Sequence, residues 1–221
     1  MATRVAVQQN VFPRQSTGFR AEAVLLLVAA VAARFVAHYA LPYFGLDPAY
    51  FKDFWPHRFP LILHICGGVL TLFCGPLQFW TGLRQRAIRF HKLTGKLYLL
   101  GVVAGALGGY SLAVYSQPHG YGVAIMFLST AWIVTTAVAF AAILRGLVDL
   151  HKEWMIRSYL VTFAFVTIRL LIDNFADLTY RLGASLPERV INVVWISWLL
   201  PLAAFETILQ SRRIFAAKQA I

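Results

Sequence analysis

Six histidines are spread along the 221 residues: His38, His57, His64, His91, His119 and His151. Four of them keep a spacing. His64, His91, His119 and His151 are separated by 27, 28 and 32 residues. Each interval fits one membrane-crossing helix plus a short joint. Successive members of the set then alternate between two faces of a bilayer. His91 and His151 fall on one face, His64 and His119 on the other. That layout suits two metal centres stacked across a membrane. His57 and His38 read as hydrogen-bonded groups near an interface.

The ligand count narrows the metal. Structural zinc takes four ligands, usually with cysteine, and catalytic zinc takes three with an open position. Cys66 and Cys74 are eight apart and form no CxxC, so they read as small buried residues. Acidic residues number nine, too few and too scattered to complete a site around the histidines. A bis-histidine haem needs two imidazoles on facing helices and an apolar slot. Arg89, Lys92, Lys152 and Arg157 stand beside the His91/His151 pair and could meet haem propionates. Membrane topology explains the same four residues equally well.

Those histidines need helices to hold them, and the composition supplies little else. Hydrophobic residues make up 59% and charged residues 13%, with a mean hydropathy of +0.66. A soluble domain is nearer 45–50% apolar and about 25% charged. Disordered, collagen-like, coiled-coil and disulfide-scaffold classes are excluded. Six apolar runs long enough to cross a bilayer are predicted at about 21–44, 60–82, 93–115, 121–144, 152–178 and 189–210. The fold class expected is all-α, a polytopic membrane protein with six transmembrane helices. Its parts are an N-terminal segment 1–20, a transmembrane domain 21–210 and a basic tail 211–221. Helix one is read as a retained anchor, because its apolar stretch is longer than a signal-peptide core.

The charge of +11 finds its explanation in this arrangement. One side collects Arg4, Arg14, Arg20, Arg84, Arg86, Arg89, Lys92, Lys96, Arg145, Lys152, Arg157, Arg212, Arg213 and Lys218. The other side has Lys52, Arg58, Arg181 and Arg189. The positive-inside rule then places both termini in the cytoplasm. Attraction to anionic lipid accounts for the charge without nucleic acid. The aromatic joint 45–59 reads as a segment lying at headgroup level.

Two further features carry alternatives. Helix three has Gly101, Gly105 and Gly109, with Gly108 beside them. Close helix packing is the commoner meaning of such a stripe; room for a flat cofactor is the other. Gly67, Gly68, Gly75 and Pro76 on helix two share that ambiguity, and Pro76 is expected to kink the helix. Arg169 and Asp173 stand four apart on helix five and are expected to pair, with Asn174 and Asp177 continuing outward. A proton or quinone site is the functional reading there. Arg34 and Glu206 are further intramembrane charges. Trp154 reads as an interface anchor.

The runs HICGG (64–68), GPLQF (75–79), RFHKLTGKLY (89–98) and HKEWMIRSY (151–159) resemble a bacterial family of predicted membrane proteins known only as a domain of unknown function. That resemblance covers about 60–210 and implies a six-helix fold. More distantly, the chain resembles the transmembrane di-haem cytochromes b that take electrons from ascorbate or similar donors. In that family helices two to five form a four-helix core. One haem lies between helices two and four, the other between helices three and five. The resemblance implies that His91 and His151 ligate the iron of an inner haem b and that His64 is a ligand of an outer one. Helix four departs from the pattern: it reads IMFLSTAW, and His119 lies before it.

The functional expectation is a b-type haem protein with one or two haems that moves electrons within or across the membrane. Its partners would be lipid and quinone or another membrane redox partner. The alternative is a cofactor-free accessory subunit of a larger membrane complex. No nucleophile motif such as GxSxG appears, and no inverted repeat with broken helices argues for transport.

Overall fold

The computed structural model describes residues 19–84, 87–175, 180–183 and 185–218. Arg4, Arg14, Arg86 and Asp177 lie outside them. The described residues are helical throughout, without a strand. In chain order the elements are α1 (Phe19–Phe35), α2 (Pro48–Phe51), α3 (Arg58–Arg84), α4 (Ile88–Tyr115), α5 (His119–Leu144), α6 (Val148–Thr162), α7 (Ala164–Asn174) and α8 (Leu186–Lys218). A π-helical stretch at Val36–Ala40 and a 3₁₀ turn at Leu41–Gly45 extend α1. Six segments are long and apolar enough to cross a membrane: Ala21–Gly45, Pro48–Arg84, Ile88–Tyr115, His119–Leu144, Val148–Asn174 and Leu186–Ala217. Their outer faces carry exposed side chains such as Leu26, Phe59 and Leu144, as contact with lipid tails requires.

The expected spans hold, with shifts at their ends. Helices α4 and α6 start four or five residues early, so His91 and His151 each lie inside a first turn. The fifth span divides at Phe163 into α6 and α7, and α8 runs to Lys218. Pro76 sits inside an unbroken α3.

Two tight turns set the core. Ala87 adopts a left-handed conformation (φ 54°) between α3 and α4, and Gly146 (φ 74°) does so between α5 and α6. Glycine takes this conformation without the clash of a Cβ; alanine takes it at a cost of about 1–2 kcal/mol. The two hairpins pack into a four-helix core in which α3–α4, α4–α5, α5–α6 and α6–α3 touch. Helices α4 and α6 therefore face each other across one diagonal, and α3 and α5 across the other. Spans one and six pack on the outside: α1 against α3, and α8 against α5, α6 and α7.

The glycines are mostly packing devices. A Cβ on Gly67 would stand 2.3 Å from the Gly105 nitrogen and 2.4 Å from the Gly101 carbonyl oxygen. Backbone meets backbone there, the meaning that small-xxx-small usually has. Gly75 makes room for the Tyr159 ring, which lies 2.0 Å from the position of its missing Cβ. The GPLQF and HKEWMIRSY runs are thus two halves of one contact. Gly68 differs: a Cβ there would meet only the Phe165 ring, at 3.7 Å. The neighbouring glycines should respond differently. Gly67→Ala should cost about 1–3 kcal/mol or more through overpacking, while Gly68→Ala should leave thermal stability in detergent within about 0.5 kcal/mol of the parent. Equal stability for the two variants would contradict the backbone contact.

The ends of the bundle differ in charge. At the basic end Arg84 pairs with Glu22, tying α3 to the start of α1. A partly buried network joins α6 to α8 there. The Arg157 Nε donates to Glu206 at 2.5 Å, Arg213 donates to Glu153 at 2.6 Å, and Arg157 lies 3.8 Å from Glu153. The Arg157 guanidinium also stacks over Trp154 and Phe205. Glu206, an isolated intramembrane charge in the sequence, is half of an ion pair in the fold.

Candidate functional site

His91 occupies the fourth position of α4, and its N–H makes the bond to the Ala87 carbonyl, 2.9 Å, that opens the helix. His151 holds the same place in α6, bonded to the Leu147 carbonyl at 2.9 Å. The two turns at Ala87 and Gly146 thus deliver two histidines to one end of the bundle, on diagonally opposed helices.

The state of each ring follows from its partner. His151 Nδ1 lies 2.9 Å from the Ala139 carbonyl oxygen. A carbonyl only accepts, so Nδ1 carries the proton and Nε2 keeps a lone pair. His91 Nδ1 lies 2.8 Å from Thr81 Oγ1. Thr81 Oγ1 also lies 2.8 Å from the Leu77 carbonyl oxygen; with its hydrogen donated there, its oxygen accepts from His91 Nδ1. His64 Nδ1 lies 2.6 Å from the Gly105 carbonyl oxygen, and the same logic applies. In the neutral form, each imidazole held this way presents Nε2 as its lone-pair nitrogen. This is the form that binds metal, with Nδ1–H fixing ring orientation and raising ligand basicity.

Helix α3 sets the His91 position. Gln78 donates to the His91 carbonyl oxygen at 2.6 Å and also bonds Thr94. The His91 ring packs beside Gly82 of α3, with the position of the absent Cβ 3.5 Å from Cε1. Of the basic residues near the pair, Lys152 bonds Asp149 at 3.1 Å and Arg157 is held by Glu206 and Glu153. Among the described residues Arg89 and Lys92 make no ion pair.

The other two histidines do not come together. His119 is the first residue of α5, exposed, with Nδ1 3.5 Å from the Gln117 amide nitrogen. His64 lies inside the bundle, its ring tilted against Phe165 at 4.8 Å. It lines a cavity of about 220 Å³ towards the end opposite the basic one. Across that cavity α5 presents Ser129 and Trp132. The expected Arg169–Asp173 pair is replaced by an arrangement around α1: Tyr39 donates to Asp173, and the Arg169 guanidinium sits 5.5 Å from the Tyr39 ring. Tyr39 lies in the π-helical stretch and reaches α7 from there. Cys74 is buried as expected, whereas Cys66 is exposed.

Between the two ends the core is crossed by hydroxyls. Tyr98 bonds Ser158 and Thr162, both at 2.8 Å; Trp132 Nε1 donates to Thr162 at 2.8 Å, and Thr136 bonds Ser158 at 2.7 Å. Every member is buried. Sequence reasoning missed this network and the Thr81 and Gln78 contacts. Scattered Ser and Thr in an apolar helix give no signal, because they satisfy themselves on the preceding turn. Gln78 was the available clue, an amide within an apolar run.

Residues 61–209 match a family model described as "Predicted membrane protein (DUF2306)". The chain belongs to this family. No curated protein and no solved structure matches it. The matched region contains His64, His91, His119 and His151 and all four core helices, except for the first three residues of α3. In this family member the glycine contacts, the tethered imidazoles and the midplane hydroxyls thus belong to the shared part of the chain, while most of α1 and the end of α8 lie outside it.

Proposed function

We propose that this protein is a b-type haem protein of the inner membrane that moves electrons within or across the bilayer, with both termini in the cytoplasm. The observation that carries the reading is the pair His91 and His151. They stand on opposed helices at one end of the bundle, each Nδ1 tied to an oxygen and each Nε2 free to ligate. Two neutral imidazoles are the donor set that bis-histidine haem takes. Arg89 and Lys92, unpaired among the described residues, are the cations available to propionates.

Bound there, haem would supply one-electron transfer. The protein's own contribution is orientation and environment. Thr81 and the Ala139 carbonyl fix the tautomers and brace the rings. Gln78 holds the first turn of α4 against α3. The surrounding apolar helices limit water, which tunes a redox centre. The basic end faces the cytoplasm in this reading, because its charge follows the positive-inside rule.

The test is the visible spectrum of detergent-purified protein, oxidised and then dithionite-reduced, with haem measured per chain. A sharp reduced α-band at about one haem per chain is the expected result. A colourless, folded preparation that takes up no added haem would overturn it and favour an accessory subunit in a larger membrane complex.

A further inference from the structure

The cavity beside His64 has the features of a ligand site that the histidine pair does not explain. It lies among α1, α3, α4, α5 and α7 and is walled mainly by aliphatic and aromatic side chains. At the inner end are His64 and Ser129, which meet over Gly109: a Cβ there would lie 2.7 Å from Ser129 Oγ and 3.3 Å from His64 Nδ1. Ser129 is 3% exposed, and among the described residues its hydroxyl has no hydrogen-bond partner. A buried hydroxyl normally bonds at least its own helix, so one left open onto a cavity invites a ligand atom. Tyr43, Tyr121 and Arg169 line the cavity as well. Among the described residues the hydroxyls of Tyr43 and Tyr121 also have no partner. The wall at the mouth includes the π-helical residues Tyr39 and Ala40, and such a widening of a helix is often found at functional sites.

The polarity of the inner end selects the ligand. The Gly105 carbonyl holds a proton on His64 Nδ1, so in the neutral imidazole Nε2 accepts. A ligand that satisfies it must donate. The walls require an apolar ring, and the volume of about 220 Å³ suits one substituted ring rather than a macrocycle. Arg169 favours an oxygen that accepts. We infer that this cavity binds a lipid-soluble hydroquinone or phenol, with one ring hydroxyl donating to His64 Nε2 and a second oxygen towards Tyr121 and Arg169. The site stands on its own geometry, and a chain without haem would keep it.

The test is calorimetric titration of the purified protein with trimethylhydroquinone under dithionite, so that any haem is already reduced. The dimethyl ether of the same ring serves as a probe without donors. The parent should bind one hydroquinone per chain, at least tenfold more tightly than the ether. Gly68→Leu should abolish binding, since the side chain enters the cavity with only the Phe165 ring at 3.7 Å from its Cβ. His64→Phe keeps a ring but loses the acceptor, and should lower hydroquinone affinity at least tenfold with the ether unaffected. Circular dichroism and the melting profile identify any variant that fails to fold, and His64→Phe and Gly68→Leu perturb different walls. No saturable binding by the parent, equal affinity for hydroquinone and ether, or undiminished binding by a folded Gly68→Leu would each overturn the inference.

Discussion

His151→Ala is expected to lose the reduced α-band, with haem per chain falling at least tenfold. The variant removes the Nε2 lone pair and the bond from Nδ1 to the Ala139 carbonyl together. Outer partners that only orient a ligating histidine are worth about 10- to 100-fold in metal affinity. Loss of the ligand itself should exceed that. The fold should survive, because His151 is half-buried in a first helical turn and the backbone bond to Leu147 does not depend on its side chain. His91→Ala should behave alike, although Thr81 then loses a donor it had accepted from. Haem content and α-band unchanged in both variants would remove the assignment. The same loss in His119→Ala would place the ligand at the wrong end.

Arg157→Met should weaken the packing of α8 against α6. Arg157 is 10% exposed in its side chain and bonds Glu206, while Glu153, 5% exposed, lies on its other side. Breaking a buried pair by removing one partner costs about 3–5 kcal/mol, because the remaining charge is left without compensation. Glu153 keeps Arg213 at 2.6 Å, so the orphan is chiefly Glu206, whose side chain is 40% exposed, and the cost falls below that range. The thermal midpoint in detergent should fall markedly. Adding Glu206→Gln should recover part of the loss, the mark of a coupled pair. Equal midpoints for Arg157→Met and the parent would mean that α8 is not held to α6 by this network.

The sequence made the architecture legible for plain reasons. Long apolar runs have few alternatives to membrane helices, and fourteen of twenty basic residues on one side set the topology expected. The histidine spacing carried His91 and His151 to the same end because two short joints separate paired helices. What spacing could not carry was rotation about each helix. His64 and His119 share an end but not a site, since His64 turns into the bundle while His119 remains exposed on the first residue of α5. The i,i+4 rule put Arg169 beside Asp173, yet Tyr39 from α1 takes the carboxylate. That contact depends on the π-helical turn at Val36–Ala40, and the sequence shows no sign of it. The cavity was equally hidden. It lies where Gly68 leaves space between helices, whereas Gly67, one residue away, brings backbone against backbone. Identical residues in one stripe thus serve opposite ends, and only the neighbouring helix decides which.

The reading stands or falls on whether His91 and His151 share one iron. The most direct measurement is low-temperature electron paramagnetic resonance of the oxidised, detergent-purified protein beside His91→Ala and His151→Ala. The account predicts a low-spin, bis-imidazole signal in the parent, replaced in each variant by a high-spin signal or by loss of haem. A parent without haem, or a low-spin signal that survives both substitutions, would contradict it.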